Sequence, residues 1–103
     1  MNTICDVVWT TRAENDLDNI LDYLESNWTK REIDNFTNLL EHNIKLIAKH
    51  PNMFQFYDVG RNIHKCVISQ QTSVFYAVDF DKNTVVILTL FDNRRSPKSL
   101  KLI

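Results

Sequence analysis

The chain has 103 residues, a formal net charge of −1 and 44% apolar residues, which suits one folded domain spanning residues 1–103. Its single glycine and two prolines exclude a linker, a repeat array or a low-complexity protein. No apolar run reaches the roughly 20 residues that span a bilayer, and the first residues do not form a signal-peptide pattern. We therefore expect a cytoplasmic domain that contacts no membrane.

The first predicted elements are a strand and an amphipathic helix. The run TICDVVW is short and rich in β-formers. After it, Thr11 as N-cap and Glu14 at the third helical position predict a capping box. One face of the helix is apolar through Ala13, Leu17, Ile20, Leu21, Leu24 and Trp28. The other face is acidic, and we expect it to be solvated, through Asp16, Asp18, Asp22 and Glu25.

A second helix follows almost without a linker. Thr29 and Glu32 predict another capping box, and Pro51 ends the helix at His50. The apolar stripe of this helix consists of Ile33, Phe36, Leu40, Ile44 and Ile47. Two adjacent amphipathic helices predict an antiparallel αα-hairpin.

Three strands are predicted after an aromatic loop. The loop NMFQFYDVGRN carries Phe54, Phe56 and Tyr57, which we expect to cover an open edge of the core. The strands are IHKCVIS, SVFYAVDF and TVVILTLF, and the short turns between them predict antiparallel hairpins. Alternation in the first of these strands puts His64 and Lys65 on opposite faces. The order β-α-α-β-β-β predicts an α+β domain with the αα-hairpin packed on one sheet face.

The two cysteines and three histidines match no metal-ligand spacing. Cys5 and Cys66 each lie in an apolar run, which predicts buried thiols and leaves a disulfide between them open. His42 lies within the second predicted helix on its outer side, and His50 lies at the end of that helix. We expect no metal and no other cofactor.

Charge is distributed unevenly along the chain. Residues 1–29 carry six acids and one cation, whereas residues 92–103 carry four cations and one acid. The cationic end either keeps the chain soluble, pairs with the acidic first helix or contacts a partner. The residues that we predict to contact a target or partner are Arg61, Lys65, Arg94, Arg95, Lys98 and Lys101.

Four stretches, in this order, resemble the RelE/ParE superfamily of bacterial toxins from type II toxin–antitoxin pairs. They are VVWTTRAENDLDNILDYLESNW, the IAKHP end of the second helix, HKCVISQQTSVFYAVD and VVILTLFDNRRSPKSL. The resemblance covers nearly the whole chain and implies a growth-inhibiting toxin with a cognate antitoxin. It leaves the target open between DNA gyrase, for ParE-like members, and ribosome-bound mRNA, for RelE-like endonucleases.

The residues at the positions of the nuclease branch favour binding over cleavage. Lys65, Arg94 and Arg95 match cationic positions of that branch, and His64 is a candidate proton carrier, although we expect a partly exposed structural residue there. No Tyr or His follows Arg95, and the net charge is near zero. The ParE-like branch is therefore the preferred interpretation. A degenerate, non-toxic member that binds its antitoxin is a third one.

The resemblance also implies how an antitoxin would bind. Apolar anchors of an antitoxin segment would enter grooves between the helical hairpin and the sheet. Acidic groups of the same segment would neutralise the cations from Arg94 to Lys101. Leu100, Leu102 and Ile103 either fold back on the domain or meet the antitoxin.

Overall fold

The computed structural model describes residues 4–100 and residue 102, apart from the side chain at position 97. Two helices come early in the chain and a set of strands follows them. The elements are β1 (Asp6–Trp9), α1 (Thr11–Asn27), α2 (Lys30–Lys49), β2 (Phe56–Asp58), β3 (Ile63–Val67), β4 (Thr72–Asp79), β5 (Thr84–Asp92) and a 3₁₀ turn (Pro97–Ser99). The predicted α+β fold with an αα-hairpin is confirmed, and β2 is an additional strand within the predicted aromatic loop. In the described part of the chain, no helix is long and apolar enough to cross a membrane.

The five strands form one mixed sheet in the order β1-β5-β4-β3-β2. The predicted hairpins are present, because β3 pairs antiparallel with β4 and β4 with β5. At β5 the chain returns to β1, and the two strands pair in parallel, from Asp6 opposite Thr84 to Trp9 opposite Ile87. The helical hairpin is the crossover that a parallel pair requires. The turn before β5 uses Asn83 with φ of 51°, a left-handed conformation that asparagine tolerates well.

The helix N-caps match the sequence prediction at α2 but not at α1. Thr29 and Glu32 form the predicted capping box, with the Thr29 hydroxyl accepting from the Glu32 amide at 3.3 Å. At α1 the cap is Thr10 and not Thr11, since the Thr10 hydroxyl accepts from the Ala13 amide at 3.0 Å. That hydroxyl also donates to the carbonyl of Leu88 in β5 at 2.9 Å. The contact with β5 selects Thr10, and this contact is invisible in the local sequence.

Each face of the sheet carries its own apolar cluster. The inner face is the one that packs on α1 and α2, and it contributes Cys66, Val74 and Ile87 to the main core. The outer face is the opposite one, and its cluster consists of Ile63, Phe75, Phe91 and Leu102. Leu102 therefore folds back on the domain as one of the predicted alternatives had it, and Leu100 packs beside it. Ile103 lies outside the described residues.

Both cysteines are free thiols, so the disulfide left open by the sequence is absent. Cys66 is fully buried on the inner face, where its Sγ lies 3.6 Å from the Asn43 side-chain oxygen. Burial raises the pKa of the Cys66 thiol to about 11, because the thiolate would lose its hydration. The thiol is therefore protonated and unreactive at neutral pH.

Candidate functional site: the cationic residues and the clefts beside them

Lys65 and Arg95 lie at the two ends of an aromatic pair on the outer face. The Lys65 Nζ lies 5.9 Å from the centre of the Phe75 ring, and the Arg95 guanidinium 5.8 Å from that of Phe91. The two rings meet edge to face with their centres 6.3 Å apart. Both rings are buried in the outer cluster together with Leu102. The two cations therefore flank a covered apolar surface.

Arg61 ties the end of the chain to the turn between β2 and β3. Its Nε donates to the Asp58 carboxylate at 2.7 Å, and its Nη1 donates to the Leu102 carbonyl. The hydrogen bond from Arg61 holds the pKa of the Asp58 carboxyl below its usual value. Arg61 thus has a structural task in addition to the contact role predicted for it.

Arg94 forms a two-pronged ion pair with its neighbour Asp92. The Arg94 Nε and Nη2 donate to the two Asp92 oxygens at 3.0 and 2.9 Å. These bonds hold the pKa of the Asp92 carboxyl below its usual value and raise that of the guanidinium. The guanidinium also lies 5.6 Å from the centre of the Tyr23 ring in α1. Arg94 therefore reaches the first helix through an aromatic contact, while its ion pair is made within its own segment.

His64 is fully buried, so the expectation of a partly exposed residue is wrong. Its ring lies between Phe56, with centres 4.2 Å apart, and Tyr76, at 5.1 Å. The Nδ1 lies 2.9 Å from the Phe54 carbonyl, which can only accept, so Nδ1 carries the proton. The Nε2 is buried without a hydrogen-bond partner. The predicted alternation of His64 with Lys65 is correct. The sequence pattern did not indicate that Phe56 covers the His64 ring.

A cleft of about 370 Å³ opens between α1, the turn after β3 and the segment after β5. We call it the basic cleft because Arg94 and Arg95 line it. Leu24, Phe36 and Leu90 provide apolar walls. The other lining residues are Asp16, Asn19, Ile20, Tyr23, Trp28, Ser69, Gln71, Thr72 and Asp92. The cleft thus combines an apolar interior with a charged lining that holds Asp16 and Asp92 as well as the two arginines, and it lies between the helical hairpin and the sheet as predicted for a groove.

Asp16 is a residue of this cleft whose role the sequence interpretation missed. It was placed on the solvated acidic face, yet its carboxylate accepts from the Thr89 hydroxyl and, at 3.2 Å, from the Leu90 amide. Asp16 therefore fixes α1 to the end of β5, where β1 has already stopped. Its position three residues after Ala13 and four before Ile20 follows the apolar stripe and could have indicated an inward side chain.

A second groove of about 330 Å³ lies between the two helices beside β1. It is mainly apolar, through Trp9, Leu17, Leu21, Leu40 and Ile44, and is completed by Thr37, Glu41 and Lys45. We call it the helix groove. Both clefts border the helical hairpin; the basic cleft lies between the hairpin and the sheet, whereas the helix groove lies between the two helices.

The predicted contact residues do not converge on one point. Arg61 and Lys65 border the outer face, whereas Arg94 turns toward α1. Arg95 borders both the outer face and the basic cleft. Lys98 is exposed in the segment after β5, and Lys101 lies outside the described residues. Among residues 4–100 and 102, no group of three or more His, Cys, Asp or Glu side chains could hold a metal ion.

Known toxins share this architecture. The chromosomal ParDE toxin–antitoxin system from P. aeruginosa aligns with a TM-score of 0.70 and 15% identity over 86% of this chain and 96% of that one. The toxin–antitoxin complex RelBE2 from Mycobacterium tuberculosis aligns with a TM-score of 0.61 and 17% identity over 88% of this chain and 100% of that one. A metal-bound toxin from Helicobacter pylori aligns with a TM-score of 0.58 and 10% identity over 88% of this chain and 97% of that one.

The fold is therefore that of the RelE/ParE superfamily of toxins. The family model for the ParE toxin of the type II toxin–antitoxin system parDE matches residues 7–97, and the chain belongs to this family. No curated protein matches in sequence. The protein is thus the toxin component of a type II toxin–antitoxin system, as the resemblance implied.

Proposed function

We propose that this toxin inhibits growth in the cytoplasm by binding its target, in the manner of ParE-like inhibitors of DNA gyrase, and that it does not cleave RNA. The observation that carries this proposal is the burial of His64. The ring lies on the inner face with no exposed surface, while Lys65 lies on the outer face. The nuclease alternative needed these two neighbours at one phosphate.

RNA cleavage by the 2′-OH requires more than positive charge. A base must accept the 2′-OH proton, cations must stabilise the phosphorane, and an acid must protonate the leaving oxygen. Lys65 and Arg95 could supply charge, but His64 cannot reach a substrate on the outer face while Phe56 covers it. The outer-face rings Phe75 and Phe91 are themselves covered in a cluster with Leu102. These features support a contact role for the cations.

A cognate antitoxin is the second part of the proposal. The basic cleft suits an antitoxin segment with an apolar anchor and acidic flanks, since apolar walls and Arg95 line the same space. Arg94 is already paired with Asp92, so an antitoxin carboxylate gains most from Arg95 and the exposed Lys98. Binding there would also cover Arg94, Arg95 and Lys98, three of the cations that we assign to target contact, which couples antitoxin binding to neutralisation.

One expression experiment separates binding from cleavage. The toxin is expressed without its antitoxin, and both the 5′ ends of cellular mRNA and plasmid supercoiling are followed. We expect a topology defect with intact mRNA. Codon-positioned mRNA breaks with normal supercoiling would reject the proposal in favour of the endonuclease. Unimpaired growth at confirmed expression would leave only a non-toxic, antitoxin-binding member.

A variant series tests the coupling to the antitoxin. The protein encoded by the neighbouring reading frame is co-expressed, and its affinity is measured for wild type and for Arg95→Ala with Lys98→Ala. We expect a loss of about tenfold with a reduced salt dependence, since charge-assisted contacts are removed. Lys30→Ala, an exposed cation at the start of α2, is the matched control. An unchanged affinity of the double variant would show that the cationic segment is not part of the interface.

A further inference from the structure

The sheet has an open edge at β2. This strand has three residues, Phe56–Asp58, and comes last in the strand order. Phe56 lies opposite His64, and the Lys65 amide donates to the Gln55 carbonyl at 2.9 Å. In an antiparallel ladder, a bond between these flanking residues marks Phe56 and His64 as a non-hydrogen-bonded pair. The N–H and C=O of Phe56 therefore point away from β3, toward the open side of the sheet.

Four large apolar side chains are exposed around this edge within seven residues. Met53 is 52% exposed, Phe56 50%, Tyr57 47% and Val59 72%. We call these four residues the edge patch. Exposed apolar groups concentrated along one edge of a sheet mark an interaction site, because water contact with them is unfavourable.

The edge strand is held from both faces of the sheet by ring contacts. On the inner face, Phe56 stacks on His64, and the His64 Nδ1 donates to the Phe54 carbonyl. On the outer face, Tyr57 meets Phe75 edge to face with ring centres 4.8 Å apart. The short strand is therefore ordered before any partner arrives, which lowers the entropy cost of binding. This gives the buried His64 a task as a positioning residue.

The charge around the edge patch indicates what kind of partner it accepts. Residues 49–65 contain the cations Lys49, Arg61 and Lys65 against the single acid Asp58. A second copy of this chain would bring equal positive charges together, which opposes self-association. An acidic segment is attracted instead.

We propose that the edge patch is a strand-docking site for an extended acidic segment of a partner protein. The segment adds a sixth strand beside β2, forms main-chain hydrogen bonds with Phe56 and places its apolar side chains on the edge patch. Its acidic residues lie near Lys49 and Lys65. The identity of the partner rests on the proposed function, in which it is the antitoxin, and this contact is additional to the one at the basic cleft.

Two substitutions test the site with the protein encoded by the neighbouring reading frame as the probe. Val59→Glu adds a negative charge to the edge patch at a side chain that is 72% exposed, so the fold is retained. Val8→Glu is the matched control on β1, the opposite edge of the sheet, where the side chain is 49% exposed. Calorimetric titration should show binding about tenfold weaker for Val59→Glu and within about twofold of wild type for Val8→Glu.

Amide exchange of Phe56 measures strand pairing directly. In the free protein this N–H faces the open edge and should exchange rapidly, and in the complex it should become protected. Equal binding of both variants, or a Phe56 amide that exchanges as fast in the complex as alone, overturns strand docking and leaves the proposed function intact. If the wild-type protein forms no complex, both proposals are overturned. If the protein self-associates and Val59→Glu abolishes this association, the occupant of the edge patch is a second copy of the chain and not an acidic partner.

Discussion

The two faces of the sheet are built from the same strands but covered by very different structures. The inner face lies under two helices of 17 and 20 residues, and Cys66, Val74 and Ile87 are fully buried there. The outer face is covered by the segment after β5, and its most distal contact, Leu102, is 9% exposed. The inner face thus carries the main core, whereas the outer face is covered by one short segment. A toxin needs both, because its rigid core supports a surface that must meet partners.

The largest expected effect comes from the inner face. Ile47 on α2 is fully buried in the main core. Ile47→Ala should lower the free energy of unfolding by about 2–5 kcal/mol, since it removes buried apolar surface and leaves a cavity. Urea denaturation measures the loss. Leu39→Ala on the same helix, where the side chain is 41% exposed, is the control and should change stability far less. Similar losses in both variants would contradict the assignment of the inner face as the main core.

Alkaline pH should also act on the inner face. The pKa of the Cys66 thiol is raised to about 11 by burial, above its ordinary value of 9.0. The unfolded chain therefore ionises first, and the stabilisation present below about pH 9 is lost as the pH rises toward 11. The expected loss is about 2 kcal/mol in denaturation free energy. Cys66→Ala should lose less stability over the same pH interval, and parallel curves would refute the thiol as the cause.

A smaller effect is expected from removing the distal contact of the outer cover. Leu102→Ala should cost about 1–2 kcal/mol, at or below the low end for a buried leucine, because the chain end can detach locally. Hydrogen exchange should accelerate on the outer-face strands while amides of α2 keep their protection. Lys98→Ala, which removes an exposed side chain of the same segment, is the control. Uniform acceleration across the molecule would mean that the two faces are not separable.

Acid should loosen the outer cover with the smallest effect of the four. Arg61 lowers the pKa of the Asp58 carboxyl in the folded state. The stabilisation by this pair is therefore present above the pKa that the Asp58 carboxyl has in the unfolded chain. It is lost as the pH falls through the lower pKa of the folded protein. Below about pH 4, exchange of the Leu102 amide should increase relative to that of an unfolded peptide at the same pH. Asp58→Asn should show that increase already at neutral pH. An unchanged exchange rate of the Leu102 amide would show that the ion pair does not hold Leu102 in place.

Local patterns were sufficient for both helices, for four of the five strands and for most of the core. The apolar stripes predicted both helices, and Thr29 with Glu32 marked the start of α2. At α1, Thr10 and Thr11 are equally competent caps in sequence terms, and hydrogen bonds of Thr10 with Ile87 and Leu88 in β5 decide between them. Boundaries that depend on a distant strand lie beyond a local pattern.

The candidate site was predicted less completely than the fold. Alternation placed His64 and Lys65 on opposite faces correctly, but the burial of His64 depends on Phe56, which lies in a strand that was interpreted mainly as a loop. Asp16 looked like a solvated acid because its hydrogen-bond donors come from β5, more than 70 residues further along. One alternative for Arg94 was an ion pair with acids of α1, and the structure pairs it with Asp92 instead. Its contact role stays a prediction.

The parallel pairing of β1 with β5 has a consequence for synthesis of the protein. Asp6 lies opposite Thr84, so β1 finds its neighbour only when β5 has been synthesised. The helical hairpin can form early because its contacts are local, but the sheet on which it packs is completed at the end. The parallel pair of β1 and β5 is therefore among the last contacts of this domain that can form during synthesis.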